Sequence, residues 1–191
     1  MGSFSSKARA LQSAIDGIDA DLEHDLELSV EWITDSVLHG GKVLIFGNGG
    51  SAADSQHFAA ELVSSLHGAP LPSPIRALAL TTDTSILTAI GNDADFKQVF
   101  ARQVQALCDP RDVIIGLTTS GRSINVLEGL NAANQLGAKT IAVTGQRGLV
   151  QPLSALEIRL PSTETQVVQS LTLLALHAIC EDLEGLRTSA V

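Results

Sequence analysis

Five short apolar runs alternate with helical patterns along this 191-residue chain, and that alternation limits its fold more than any other feature. The runs are KVLIF at 42–46, IRALAL at 75–80, VIIGL at 113–117, TIAVT at 140–144 and LEIRL at 156–160. Helices are expected over 51–66, 85–90, 96–107 and 123–136, with a last one over about 164–186. Strands that are apolar almost throughout are buried on both faces. Alternating strands and helices then build an α/β fold, a parallel sheet covered by helices on each side. Hydrophobic residues make up 45% of the chain and aromatics only 3%, so the core is aliphatic and alanine-rich.

Residues 6–40 read as helical before the first strand. Leu11, Ile15, Ile18, Leu22 and Leu26 recur at three- and four-residue intervals, and Val30, Ile33, Val37 and Leu38 continue the stripe. A break is expected within 19–25, and Gly40-Gly41 ends the pattern. This N-terminal helical extension lies outside a plain strand–helix repeat; its apolar stripe covers the sheet or meets a partner subunit. No linker or repeat divides the chain. The expectation is one domain over 1–191, with helices to about 40, an α/β core over 41–186 and an unstructured tail over 187–191.

The formal charge of −9 and the lack of a basic cluster argue against a nucleic-acid surface. Cys108 and Cys180 form no CxxC motif and read as reduced thiols, which suits a cytoplasmic protein. No apolar run has the length of a membrane span, and the N-terminus lacks a signal-peptide core.

Four segments carry candidate chemistry. GNGGS at 47–51 follows a strand and opens a helix, where glycines admit an anion close to free backbone N–H groups. It is neither GxGxxG nor a P-loop, and a tight turn is the plain alternative. TTSGRS at 118–123 sits at a second strand end. One hydroxyl there would be a helix cap, whereas Thr118, Thr119, Ser120 and Ser123 together suit a ligand with many oxygens, such as a sugar phosphate. Ligands of such sheets bind at the carboxyl ends of the strands, where both loops lie. In TTDTSILTAIGND at 81–93, Asp83 reads as a cap, and Asn92 and Asp93 as turn residues or ligand contacts.

The fourth segment is helical. His57 and Glu61 are four residues apart and share a face. Gln169 and His177 stand in the apolar stretch VVQSLTLLALHAI, where an unpartnered polar group costs about 1–3 kcal/mol. Each pair has a structural reading: a solvated ion pair, or hydrogen-bonded core residues. Taken together, two imidazoles, a carboxylate and an amide oxygen suit zinc or another divalent transition metal. His24, His39 and His67 read as surface residues, and Trp32 as core or subunit contact.

GNGGSAADSQHFAAEL at 47–62, LTTDTSILTAIGND at 80–93, VFARQVQAL at 99–107, TTSGRS at 118–123 and PSTETQVVQSLTLLALH at 161–177 together resemble the sugar isomerase (SIS) family. Within it they are most similar to the sedoheptulose 7-phosphate, or phosphoheptose, isomerases. The resemblance runs nearly end to end. It implies a three-layer sandwich with a five-stranded parallel sheet, of the flavodoxin-like or Rossmann-like kind. It also implies a homotetramer with active sites at subunit interfaces. By the same resemblance, Asn48, Gly49, Gly50, Ser51, Glu61, Asn92, Asp93 and Gln169 contact substrate, and Thr118, Thr119, Ser120 and Ser123 hold its phosphate. His57, Glu61, Gln169 and His177 match the family's zinc ligands, with Glu61 and His177 as general base and acid. Two departures stand out. An arginine usual shortly after the glutamate is replaced by Ser64-Ser65-Leu66-His67, and the hydroxyl loop carries Arg122.

The function implied is aldose–ketose isomerisation of sedoheptulose 7-phosphate through an enediol, giving a D-glycero-heptose 7-phosphate with the manno product by resemblance. The alternative is a non-catalytic tetrameric adaptor like the replication-initiator-binding paralogue. That relative lacks the carboxylate and histidine matching Glu61 and His177, which this chain keeps. A sugar-phosphate-sensing regulatory domain is the third reading, but such domains are usually joined to a DNA-binding module.

Overall fold

The computed structural model describes residues 2–65 and 74–188, with side chains up to 185. Its strands are β1 Val43–Gly47, β2 Ala77–Ala79, β3 Val113–Thr118, β4 Lys139–Gly145 and β5 Leu156–Leu160. They form one five-stranded sheet in the order β2-β1-β3-β4-β5. Every pairing is parallel, so the α/β expectation holds. The helices are α1 Ser3–Ile15, α2 Ala20–Leu38, α3 Gly50–Val63, α4 Thr84–Asp93, α5 Val99–Leu107, α6 Ile124–Gln135 and α7 Thr165–Thr188, with a 3-10 turn at Phe96–Gln98.

Successive strand residues point to opposite faces, so the sheet feeds two cores. Val43, Ile45, Val113, Ile115, Ile141 and Ile158 meet α2, α3 and α7 on one side. Leu44, Phe46, Ile114 and Ala142 meet α5 and α6 on the other. Phe46 stacks on Phe100 with ring centroids 4.8 Å apart. A Cβ on Gly129 would lie 2.7 Å from the Phe46 ring, so only glycine lets α6 approach there. At the opposite end of the sheet, the buried Asp112 carboxylate accepts from the Lys42 amide and ammonium and the Asp109 amide, pinning the starts of β1 and β3.

Several boundaries differ from the sequence expectation. The N-terminal break falls at 16–19, because the Asp19 side chain caps α2 by accepting from the Leu22 amide at 2.9 Å. The second strand shortens to three residues. The Ile75 amide donates to the Leu62 carbonyl of α3, which draws that end of the run off the sheet. Gly91, Asn92 and Asp93 do not interrupt a helix; they complete α4, whose start Asp83 caps through the Ile86 amide. The last helix runs to Thr188, into the stretch expected as tail. Leu66 and His67, and with them half of the Ser64–His67 departure, lie outside the described residues, as do 189–191. Among the described residues no helix is long and apolar enough to cross a membrane.

Candidate active site

The carboxyl ends of β1 and β3 lie side by side, with Gly47 paired to Leu117. The two loops that the sequence singled out therefore neighbour each other. Gly49 adopts a positive φ of 57° and stands at the N-cap of α3, so the chain turns sharply from strand into helix. A Cβ at Gly50 would lie 2.2 Å from the Gln169 Nε2, which shows how tightly α7 seats against this turn. Asn48 and the buried Asn125 of α6 bond through their side-chain amides, each amide nitrogen 2.8 Å from the other's oxygen. That pair clamps the first loop to the second. Ser51 is buried, with its carbonyl accepting from the Ser55 hydroxyl at 2.7 Å.

In the second loop the buried Thr118 hydroxyl donates to the Ser123 hydroxyl at 3.1 Å. Ser123 is the N-cap residue of α6, but its side chain makes no capping bond, so its oxygen stays turned to the loop. The Ser120 hydroxyl accepts from the Arg122 amide at 3.2 Å. Thr119 is half-buried and lends its carbonyl to the Gly145 amide of β4.

His57, Glu61 and His177 converge, and their donor atoms all lie within 4.8 Å of one another. The α-helical spacing puts His57 and Glu61 on one face of α3, and packing of α3 against α7 brings in His177. The two Nε2 atoms face each other at 2.9 Å. The Glu61 Oε1 is 3.0 Å from the His57 Nε2 and 3.5 Å from the His177 Nε2. The Glu61 side chain is only 10% exposed, against 48% for His57 and 37% for His177. Its second oxygen, Oε2, is fully buried and has no hydrogen-bond partner. A buried carboxylate oxygen without a partner is costly, and two imidazoles at its mouth supply what a cation needs. The donor set of two nitrogens and a carboxylate fits zinc. Gln169, two turns before His177 on α7, lies against Gly50 and could add an amide oxygen.

Asn92 and Asp93 stand apart from the cluster, at the exposed end of α4, hydrogen-bonded to each other at 2.7 Å. His24 and His39 are surface residues as expected, and Trp32 is partly buried against the core. Two neighbours escaped the sequence reading. Asn125 lies in the first turn of α6, two residues past Ser123, with nothing in the sequence to mark it as the partner of Asn48. Cys180, one turn beyond His177, is pushed well above the ordinary thiol range by burial and then by the charge of the adjacent Glu61. Its three-residue spacing from His177 was the available signal.

Known proteins share this sequence pattern and this fold. The SIS domain model matches residues 6–145. A phosphoheptose isomerase of Syntrophotalea carbinolica is 47% identical over 177 residues, covering 91% of this chain and 88% of the relative. One from Aquifex aeolicus is 53% identical over 153 residues, covering 80% and 79%. The solved phosphoheptose isomerase from Neisseria gonorrhoeae superposes with a TM-score of 0.82 at 38% identity, covering 95% of each chain.

Proposed function

This chain belongs to the SIS domain family, and on that premise we propose that it is a phosphoheptose isomerase acting on sedoheptulose 7-phosphate. The product would be a D-glycero-heptose 7-phosphate, the manno epimer by likeness to its relatives, and the route an enediol. The whole chain would act as one SIS unit. The observation that carries this is the convergence of His57, Glu61 and His177 around a carboxylate whose Oε2 is buried and unpartnered.

Moving a proton between C1 and C2 needs a base at carbon and an acid at oxygen, which together contribute about 10²–10⁴-fold. Glu61 takes the base role because its carboxylate is shielded from water on one side and opens toward the histidines. His177 takes the acid role, its Nε2 lying 3.5 Å from the Glu61 Oε1 on a side chain more exposed than that of Glu61. His57, Glu61, His177 and Gln169 would hold a zinc or similar divalent ion, which when bound supplies Lewis-acid polarisation of the carbonyl. Asn48, Gly49, Gly50 and Ser51 would position the sugar hydroxyls, with Asn92 and Asp93 reaching it from α4. Thr118, Thr119, Ser120 and Ser123 would hold the phosphate, whose remote binding orients the reacting carbons.

A homotetramer, as the family resemblance implies, fits the exposure of α4, and the cytoplasm is the compartment that the reduced cysteines suit. That helix buries no residue, and Phe96 beyond it is 58% exposed. Contacts from a neighbouring subunit would cover this surface and bring Asn92 and Asp93 to a site. The test is direct. Purified, zinc-supplemented protein incubated with sedoheptulose 7-phosphate should give aldose signals by NMR. No turnover of this substrate would overturn the proposal and favour a binding-only role.

A further inference from the structure

A polar cavity of about 120 Å³ opens beside the hydroxyl loop, whose Thr119 and Ser120 line one wall, over the ends of β3, β4 and β5. Its walls include Arg122 from the loop after β3, Arg147 from the loop after β4, and the hydroxyl residues Ser162 and Thr163 from the loop after β5. The three loops are laced together by backbone bonds. The Gly145 amide donates to the Thr119 carbonyl, the Val150 amide to the Gly121 carbonyl at 3.2 Å, and the Gln146 amide to the Ser162 carbonyl at 2.9 Å. Gly121 has φ of 67°, and a Cβ there would sit 1.9 Å from the Gly148 carbonyl oxygen, so the contact between the loops after β3 and β4 requires glycine. The cavity is therefore a fixed feature of the strand ends.

Its charge is unusual for so acidic a chain, which has 21 acidic residues against 12 lysines and arginines. Arg122 and Arg147 make no ion pair among the described residues, whereas the nearby carboxylates are already engaged. Glu157 accepts from Arg159 at 2.7 Å and from the Leu149 amide. Glu164, at the third loop, pairs with Lys7 at 2.8 Å. Two unpaired guanidiniums, hydroxyl donors and the first turn of the long helix α7 thus face a space of phosphate size. Guanidinium forks match phosphate oxygens bidentately.

We propose that Arg147, together with Arg122, closes a subsite for a phosphate monoester dianion at the ends of β3, β4 and β5. Thr119 and Ser120 of this cavity already belong to the phosphate loop of the proposed function, on which this part of the inference rests; the resemblance to SIS isomerases assigns nothing to Gln146, Arg147, Ser162 or Thr163. The dianion is either the terminal phosphate of the sugar substrate or that of a second, regulatory phosphate ester. The subsite does not depend on turnover, so its failure and that of the isomerase proposal are separable.

The test is calorimetric titration of the whole protein with inorganic phosphate, comparing wild type with Arg147→Ala and Arg147→Lys. Binding should weaken at least tenfold in Arg147→Ala and be partly restored in Arg147→Lys, with unchanged thermal unfolding. Equal affinity in wild type and Arg147→Ala, with Arg122→Ala also unaffected, would overturn the proposal. Steady-state inhibition by inorganic phosphate then separates the sources. Competitive inhibition that disappears in Arg147→Ala assigns the subsite to the substrate's own phosphate. Non-competitive inhibition that disappears in the same variant assigns it to a separate effector. Inhibition that is unaltered by the substitution contradicts both.

Discussion

The two halves of the proposed site are built in different ways. His57, Glu61 and His177 stand on two long helices, and they meet only because α3 packs against α7 across more than a hundred residues of sequence. Thr118, Thr119, Ser120 and Ser123 occupy one short loop, held by its own turn and by bonds to the next strand end. The helical half concentrates a carboxylate and two imidazoles where water is partly excluded. The loop half presents many neutral donors and little buried charge. Chemistry that moves a proton needs the first arrangement, with fixed and shielded groups. Anchoring an anion needs only the second. The difference implies that damage to the helical half stops turnover, while damage to the loop half weakens binding or the scaffold.

The strongest break of this contrast is His177→Gln. It keeps the helix and much of the side-chain volume but removes the imidazole. Turnover should fall by at least ~100-fold, and bound zinc, measured by atomic absorption on the dialysed protein, should drop as well. Retained turnover would move the acid role elsewhere.

On the loop side, Gly121→Ala places a methyl group against the Gly148 backbone at a positive φ. Strain of this kind costs about 1–3 kcal/mol, which lowers the melting temperature by roughly 2–12 °C. Calorimetry showing an unchanged Tm would mean that the two loops are not locked together.

Gly50→Ala probes the junction of the halves. The added Cβ meets the mobile end of the Gln169 side chain rather than backbone. Stability should hold, because alanine favours a helix over glycine by roughly 0.5–1 kcal/mol. Displacing Gln169 should nonetheless cut kcat/KM by about tenfold or more, since small misplacements in a site are costly. A wild-type kcat/KM would detach Gln169 from the site.

The smallest effect concerns Asp54, one turn before His57. Burial raises its carboxyl above the ordinary value, and the nearby His57 only partly opposes this. Its Oδ2 is buried without a partner. A carboxyl whose folded pKa is raised contributes its full stability below the unfolded value of 3.8 and loses it as pH rises through the folded value. Asp54→Asn should therefore raise Tm slightly at pH 7, and the gain should vanish below pH 3.8. A gain that persists in acid would point to packing rather than charge.

The same contrast explains what could be read from the sequence. β1, β3 and β4 were legible because a strand buried on both faces has a continuous apolar signature, and the edge strand β5 because Leu156, Ile158 and Leu160 alternate with Glu157 and Arg159. The hydroxyl loop was legible because its residues are contiguous. The shortness of β2 was not, since it depends on the Ile75 amide finding the Leu62 carbonyl of a distant helix. The extent of α4 was missed because Gly91, Asn92 and Asp93 look like a turn, yet Asn92 and Asp93 bond each other and leave the helical backbone intact. His57 and Glu61 were visible as a pair through their spacing. Their meeting with His177 is a tertiary event that no local spacing shows; it was anticipated from a polar Gln169 and His177 in an otherwise apolar helix and from the family resemblance. Asn125 and Arg147 carried no local mark, because their significance lies in partners on other loops.

The most direct test of the central claim is solvent exchange at the reacting carbon in Glu61→Gln. The wild-type protein in deuterium oxide should convert sedoheptulose 7-phosphate and incorporate deuterium beside the carbonyl, read by NMR. The variant, folded with a Tm near that of the wild type, should show neither exchange nor aldose. A folded Glu61→Gln protein that exchanged and isomerised at the wild-type rate would contradict the assignment of Glu61 as the base.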